Sequence, residues 1–285
     1  MKKILILSGK GGTGKTTTAA AFIAFSNAKA FADCDVDAPN LHLVNEVQST
    51  PITKDFIGSK KAKIDPTTCI GCNLCYQHCR FDAIKQLENR CEIDEYACEG
   101  CGVCEYVCPQ GAISLEDDVA GKLTRYQEDK VFVSAKLKMG RGNSGKLVTE
   151  VKKELSQHAD ADIAIIDGSP GIGCPVIASI TGVDLVLVVA EPSNSGISDL
   201  KRLVKTANQL QTKLVVAINK WDQSEMHSDE IIDYCQTHKI PFMGKVPYDK
   251  HASIAMNQGK SIANIDCKAR AALYDIYQHT MEVLG

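Results

Sequence analysis

The sequence predicts an α/β protein, a doubly wound and mostly parallel sheet interrupted by a small cysteine-rich α+β segment. Three observations predict it. Short apolar runs alternate with helical stretches along most of the chain, beginning at Ile4. A glycine-rich loop at residues 8–18 (SGKGGTGKTTT) joins the first run to a helix. Eight of the thirteen cysteines fall in two runs of identical spacing.

With 285 residues and 44% hydrophobic content, the chain has room for one large domain and a small one. A net charge of −3 offers no general nucleic-acid surface. No stretch reaches the roughly 18 apolar residues of a membrane span, and the apolar run 4–7 is too short for a signal-peptide core. A cytoplasmic protein is expected. An odd number of clustered cysteines in a long chain favours metal or cluster ligation over disulfides.

The loop fits G-x-x-x-x-G-K-[ST] through Gly9, Gly14, Lys15 and Thr16. Such a pattern between strand and helix binds phosphate. Backbone N–H groups of Gly11, Gly12, Thr13 and Gly14, with Thr17 beyond, close around the oxygens. Lys15 reaches the β/γ-phosphates, and the Thr16 hydroxyl ligates Mg²⁺. Residues 15–26 form the helix that faces them. The next strand, 28–32, ends in DCDVDAPNL, which sets Asp33 and Asp35 where carboxylates serve Mg²⁺ or water. Asp37 reads equally as a solvated turn residue, and Cys34 as a small core residue.

Residues 69–79 read C-x-x-C-x-x-C-x-x-x-C. The spacing returns at Cys98, Cys101, Cys104 and Cys108, followed by Pro109, and FDAI (81–84) answers QGAI (110–113). This is an internal repeat. Structural zinc sites pair two C-x-x-C elements across a longer loop, a poorer match to two complete runs of four. Cys91 lies outside both runs and is not counted as a ligand.

Beyond the repeat, residues 130–135 form a strand, and the loop at 137–148 enters a helix. Its Gly145-Lys146 pair lacks the full phosphate pattern. Residues 162–171 (DIAIIDGSPG) are a buried strand ending in Asp167. Strands at 184–190 and 213–219 alternate with helices at 196–210 and 225–238. The last helix, 266–283, has an apolar stripe of Leu273, Ile276, Tyr277 and Leu284 but no basic face for a membrane surface. The second of those strands ends in NKWD. Asn219, Lys220 and Asp222 match the N-K-x-D of guanine-specific proteins, which keeps GTP in competition.

Lys10 turns the loop into KGGTGKT, which resembles the deviant Walker A loop of the MinD/ParA/Mrp ATPases, a class that includes the nitrogenase iron protein. The resemblance implies a nucleotide-dependent homodimer in which Lys10 crosses to the partner's phosphates, and it favours ATP over GTP. It also implies roles for single residues. Lys10, Lys15 and Asp35 are catalytic, Asp35 by positioning water, in an Asp-x-Asp motif with Asp33 and a following Asn40. Asp33 joins Thr16 at Mg²⁺. Asp167 and Gly171 resemble the Walker B strand end and switch II. Asn219 and Lys220, with Pro247 and Asp249 of a later P-x-D, lie at adenine.

The cysteine runs resemble a bacterial ferredoxin with two [4Fe–4S] clusters, in which the fourth cysteine of each run ligates the other cluster. That implies one ligand set of Cys69, Cys72, Cys75 and Cys108 and another of Cys98, Cys101, Cys104 and Cys79. Arg80 stands where that family has a proline. Taken whole, the chain resembles MinD-superfamily ATPases with an inserted ferredoxin domain, here 58–117 within an ATPase domain of 1–57 and 118–285. Cys174 matches a position that holds a bridging cluster in related iron–sulfur carriers, but the C-x-x-C pair is missing, and a thiol at a helix start is the alternative.

The function implied is a dimeric switch that binds and hydrolyses ATP and gates electron transfer from two clusters to a redox partner. The alternatives are an iron–sulfur assembly carrier that delivers clusters to an acceptor protein, and a positioning ATPase with a redox-sensing insert. Neither a nucleic-acid partner nor a membrane anchor is expected.

Overall fold

The structure is a computed structural model that describes residues 1–45 and 49–285. In chain order the elements are β1 (Lys2–Leu7), α1 (Lys15–Ser26), β2 (Ala30–Asp33), β3 (Ile52–Ile57), β4 (Lys61–Ile64), α2 (Leu74–His78), β5 (Ile84–Gln86), β6 (Cys91–Ile93), α3 (Val103–Tyr106) and β7 (Ile113–Glu116). They continue with β8 (Val119–Gln127), β9 (Val131–Leu137), α4 (Ser144–His158), β10 (Ile163–Asp167), α5 (Cys174–Ile180), β11 (Leu185–Ala190), α6 (Asn194–Gln209) and β12 (Lys213–Asn219). The chain closes with α7 (Glu225–Thr237), β13 (Phe242–Val246), α8 (Lys250–Asn257) and α9 (Lys268–Leu284).

The chain divides into two compact units. The first comprises residues 1–53, 123–136 and 144–285, and the second 54–122 and 137–143. The second contains the whole expected segment 58–117. It is wider than that segment because β3, the start of β8 and the stretch after β9 belong with it.

Among the described residues, nine strands form one sheet in the order β13-β12-β11-β1-β10-β2-β9-β8-β3, and the seven from β13 to β9 pair in parallel. Strand order reverses around β1, so a crevice opens at the carboxyl ends of the central strands. That placement puts the phosphate loop, Asp33, Asp167 and Asn219 on one rim, since each follows or ends a parallel strand. Ile4, Leu5, Ile6 and Leu7 of β1 are fully buried, as a central strand covered on both faces requires. Under the sheet, Ala19, Ala20 and Ala21 let α1 approach closely, and Phe22 fills the space against Tyr277 of α9. α1 ends where Asn27 adopts φ +46° and its N–H returns to the carbonyl of Ala24.

The second unit is built twice. β4 pairs antiparallel with β7, and β5 with β6. Each cysteine run opens on an aspartate turn: the Cys69 N–H bonds the Asp65 carbonyl and the Cys98 N–H that of Asp94, both at 3.0 Å. The halves exchange bonds across a local pseudo-twofold, from the Asp65 N–H to Ala112 O (2.8 Å) and from the Asp94 N–H to Ala83 O (2.7 Å). Each run turns through positive φ, at Gly71 (+66°) and again at Gly100 (+68°). Its core is thin, with Ala62, Ala83, Ile84 and Ile113 packed against Cys75, Cys91 and Cys98.

Candidate functional site

The phosphate loop leaves β1 and enters α1 through Gly14, whose φ of +94° and whose position against Asn219, with a Cβ 2.2 Å from the Asn219 amide nitrogen, exclude any side chain. Beyond it the Lys15 ammonium meets the fully buried Asp167 carboxylate at 2.5 Å, and the Thr16 hydroxyl donates to the other Asp167 oxygen at 2.7 Å. Burial works to lower the Lys15 pKa, but Asp167 outweighs it and holds the ammonium above its ordinary value. The Thr16 hydroxyl also lies 3.1 Å from the Asn40 amide oxygen.

Asp33 is engaged by backbone amides. One oxygen accepts the Asp35 N–H (2.9 Å), and the other accepts those of Asn40 (2.8 Å) and Leu41 (2.9 Å), so this carboxylate braces the loop that carries Asp35. Burial, then the nearby Asp167 charge, raise its pKa to about 7 against the opposing Leu41 amide. Asp35 is half-buried, and burial raises its pKa as well. Asp37 is exposed. Cys34 is sealed in the core.

Lys10 is turned onto its own chain. Its ammonium pairs with Glu191 at 2.8 Å and lies 3.3 Å from the Ser195 hydroxyl. Lys220 shares Glu191 at 3.3 Å and donates to the Gly12 carbonyl at 3.0 Å. Burial penalises the Glu191 carboxylate, yet the two lysines together keep its pKa below the usual range. Glu191 is a residue that sequence spacing did not single out, because nothing local marks a carboxylate that two distant lysines share.

At the base end, Gly12, Gly14, Thr17, Asn219, Pro247 and Asp249 border one cavity with about 810 Å³ of empty space. The Asn219 amide donates to the Thr13 carbonyl at 2.7 Å, which ties β12 to the phosphate loop. Asp222 does not border this cavity. Its carboxylate accepts the Tyr248 N–H at 2.7 Å and so holds the Pro247–Asp249 loop. Asp249 caps α8 through the His251 N–H (3.0 Å) and also accepts the Ala269 N–H at the start of α9 (3.3 Å). His251 and Cys267 bring ligand atoms within 4.8 Å of it, but two helix N-termini aimed at the trio disfavour a cation.

A family model for the CobQ/CobB/MinD/ParA nucleotide-binding domain matches residues 4–262. The chain belongs to that family. An uncharacterised protein of Methanocaldococcus jannaschii is 35% identical over 258 residues, 86% of each chain. The iron-sulfur cluster carrier protein of the same organism is 22% identical over 306 aligned positions, covering 98% of this chain and 84% of that one. Among solved structures, the septum site-determining protein MinD of Pyrococcus horikoshii in complex with Mg-ADP aligns with 100% of this chain and 97% of its own, at a TM-score of 0.57 and 16% identity, a likeness of fold. No helix among the described residues is long and apolar enough to cross a membrane.

In the second unit of this MinD/ParA-type chain, the cysteines gather by the crossed pattern and not run by run. Cys98, Cys101 and Cys104 border one cavity together with Cys79, and Cys69, Cys72 and Cys75 border another together with Cys108. Backbone amides point at two of the sulfurs, Ala62 N–H at Cys98 (3.5 Å) and Ala112 N–H at Cys108 (3.3 Å). Lys61 donates to the Cys98 carbonyl. Cys91 also borders the second cavity, with its thiol 3.3 Å from the Asn73 amide oxygen, although it lies outside the repeated spacing. Cys174 is exposed at the first position of α5, and Lys146 lies within α4.

Proposed function

We propose that the protein is an ATP-hydrolysing dimeric switch whose second unit holds two [4Fe–4S] clusters, and that nucleotide gates electron transfer from these to a redox partner. The observation that carries the reading is the crossed pair of cysteine quartets within a nucleotide-binding chain. Among the described residues, no three sulfurs of a quartet lie within 4.8 Å of one another. Four thiolates on one zinc ion, at bonds of about 2.3 Å, would stand roughly 3.8 Å apart. The N–H groups of Ala62 and Ala112 supply the hydrogen bonds to sulfur that tune a cluster's potential. A core whose buried members besides cysteines are two alanines and two isoleucines also calls for a staple, which ligation would provide.

In the nucleotide site, ATP draws Lys15 from Asp167 onto the β/γ-phosphates, and Thr16 and Asp167 face Mg²⁺. Asp35, braced by Asp33, orients the attacking water. Lys10 leaves Glu191 to reach the partner's nucleotide in the closed dimer. ATP is favoured over GTP because Asp222, the residue that would read guanine in an N-K-x-D site, is committed to the Tyr248 amide. One observation favours the carrier reading, the iron-sulfur cluster carrier among the relatives. Anaerobic protein turning over Mg·ATP beside an apo-acceptor separates the two. With its clusters first reduced by dithionite and the excess removed, an electron carrier keeps both clusters and passes their electrons to an acceptor dye only with ATP; loss of one cluster per turnover replaces this reading with the carrier.

A further inference from the structure

The chain passes between its two units at residues 53/54, 122/123, 136/137 and 143/144. The last junction leads straight into α4, the helix that packs on α5, and α5 begins seven residues after Asp167. Two contacts grip α5 along its length. At the start of α4, Gly145 lies against Cys174, where a Cβ would come within 3.2 Å of the Cys174 carbonyl oxygen. Two turns on, the buried Lys152 ammonium donates to the carbonyls of Ala178 (2.9 Å), Ser179 (2.6 Å) and Thr181 (2.5 Å) at the far end of α5. The loop that leads into α5 is tied in turn to the phosphate loop, by the Gly171 N–H on the Ser8 carbonyl at 3.1 Å.

On the other side of the junction, the strap of residues 137–143 is pinned within the second unit by Arg141. The guanidinium is mostly buried. It donates to the Glu95 carbonyl (3.1 Å) and carboxylate (2.8 Å), pairs with Asp118 (3.0 Å) and covers the Tyr96 ring at 5.1 Å. Asn143 adds a bond to the Ser59 hydroxyl at 2.8 Å. Glu95 and Tyr96 are the middle of the turn that ends in Cys98. The matching turn before Cys69 carries Pro66 and Thr67 there, and its Thr67 and Thr68 hydroxyls bond back to Asp65. The grip therefore exists on one copy of the repeat.

We propose that the strap of residues 137–143, anchored by Arg141, transmits movement of α5 to the Cys98 turn, so that nucleotide acts on the Cys79/Cys98/Cys101/Cys104 quartet and not on its twin. This rests on the reading that the quartets hold clusters and that ATP moves the loop after Asp167. Arg141 is then a positioning residue, whose planar fork fixes the turn at three points where a lysine would hold one. The route runs through contacts within each unit and crosses between them by the covalent junction at 143/144. The turn in turn sets the orientation of one ligand and the access of water to its cluster.

The test is an anaerobic redox titration of the full chain followed by electron paramagnetic resonance, with and without a Mg²⁺-bound non-hydrolysable ATP analogue. Hydrogen exchange of the amides at 94–98 is read alongside. In the parent, nucleotide is expected to shift the potential of one cluster alone and to change exchange at 94–98. R141Q is expected to lose both effects while binding the analogue as the parent does, and R141K to keep part of them. A second variant, with two glycines inserted between Asn143 and Ser144, leaves the Arg141 bonds in place but slackens the junction, and it should lose the same effects. If the parent responds and the slackened chain responds equally, the strap is not the route, and the gated-transfer reading survives. An equal response of both clusters in the parent overturns the proposal in the same way. If the parent holds both clusters and responds in neither measurement, the strap and the gating fall together.

Discussion

Replacing Lys15 by methionine probes the most heavily buried charge pair in the nucleotide site. The Lys15 side chain is 6% exposed and Asp167 is 0% exposed, with 2.5 Å between the charges. After the substitution, Asp167 keeps the Thr16 hydroxyl but has no cation beside it. Stranding one half of a buried ion pair costs about 3–5 kcal/mol. At about 2–4 °C per kcal/mol for a chain of this size, the melting temperature of the nucleotide-free protein should fall by roughly 6–20 °C. The double variant Lys15→Met, Asp167→Asn removes both charges and should recover most of that loss, because the pair was costly to desolvate in the first place. Thermal unfolding followed by circular dichroism at neutral pH measures all four corners of the cycle. A loss below about 1 kcal/mol for Lys15→Met, or a double variant no better than the single, would refute the claim that Asp167 depends on Lys15.

Asp33, raised from its ordinary 3.8 to about 7, binds a proton in the folded state that the unfolded chain has released. Its contribution to the stability of the nucleotide-free protein is therefore complete below about pH 4 and is lost as pH rises to about 7; urea midpoints across that range should show the trend, and Asp33→Asn should flatten it. Anaerobically purified protein should contain about eight iron atoms and eight sulfides per chain, and Cys72→Ser should disturb one cluster more than the other, whereas stoichiometric zinc without sulfide would sink the cluster assignment. Asp35→Ala should bind ATP nearly as the parent does while hydrolysis is suppressed, and a parental rate would remove Asp35 from the water-positioning role. Glu191→Gln should free Lys10 and lower the ATP concentration at which dimers form in sedimentation, with no change expected if the pair found here is incidental to closure.

The fold was legible where local chemistry and tertiary packing agree. α1 begins at the residue after Gly14, as the phosphate pattern requires, and β12 ends at Asn219, where the apolar run does. β13 and α8 carry little local signal, because FMGKV is short and broken by Gly244, and α8 is an eight-residue helix with a single buried residue. β8 is as hard to read, since VAGKLTRYQ carries a glycine and two charges that weaken its alternation. At the candidate site, spacing alone brought the eight cysteines to notice, and the structure gathers them by the crossed assignment. What the sequence could not display were contacts made at long range. Cys91 enters the wall of one quartet by sheet pairing, Asp33 turns to backbone amides, and Glu191 holds Lys10 from the end of the neighbouring strand β11.

The pairing of β2 with β9 joins Ala30 to Val131, about a hundred residues apart. Were the chain between them disordered, the closure of so long a loop would cost on the order of 4 kcal/mol, which a short parallel pairing is poorly able to repay. A compact second unit shortens the effective loop and removes much of that entropy. The pairing of β9 with the rest of the sheet is thus conditional on whatever orders the cysteine-rich residues. During synthesis, β1, α1 and β2 emerge long before the strands that flank them, and must wait for the intervening segment to fold. Whatever ligand orders that segment would in this way set the yield of a competent nucleotide site.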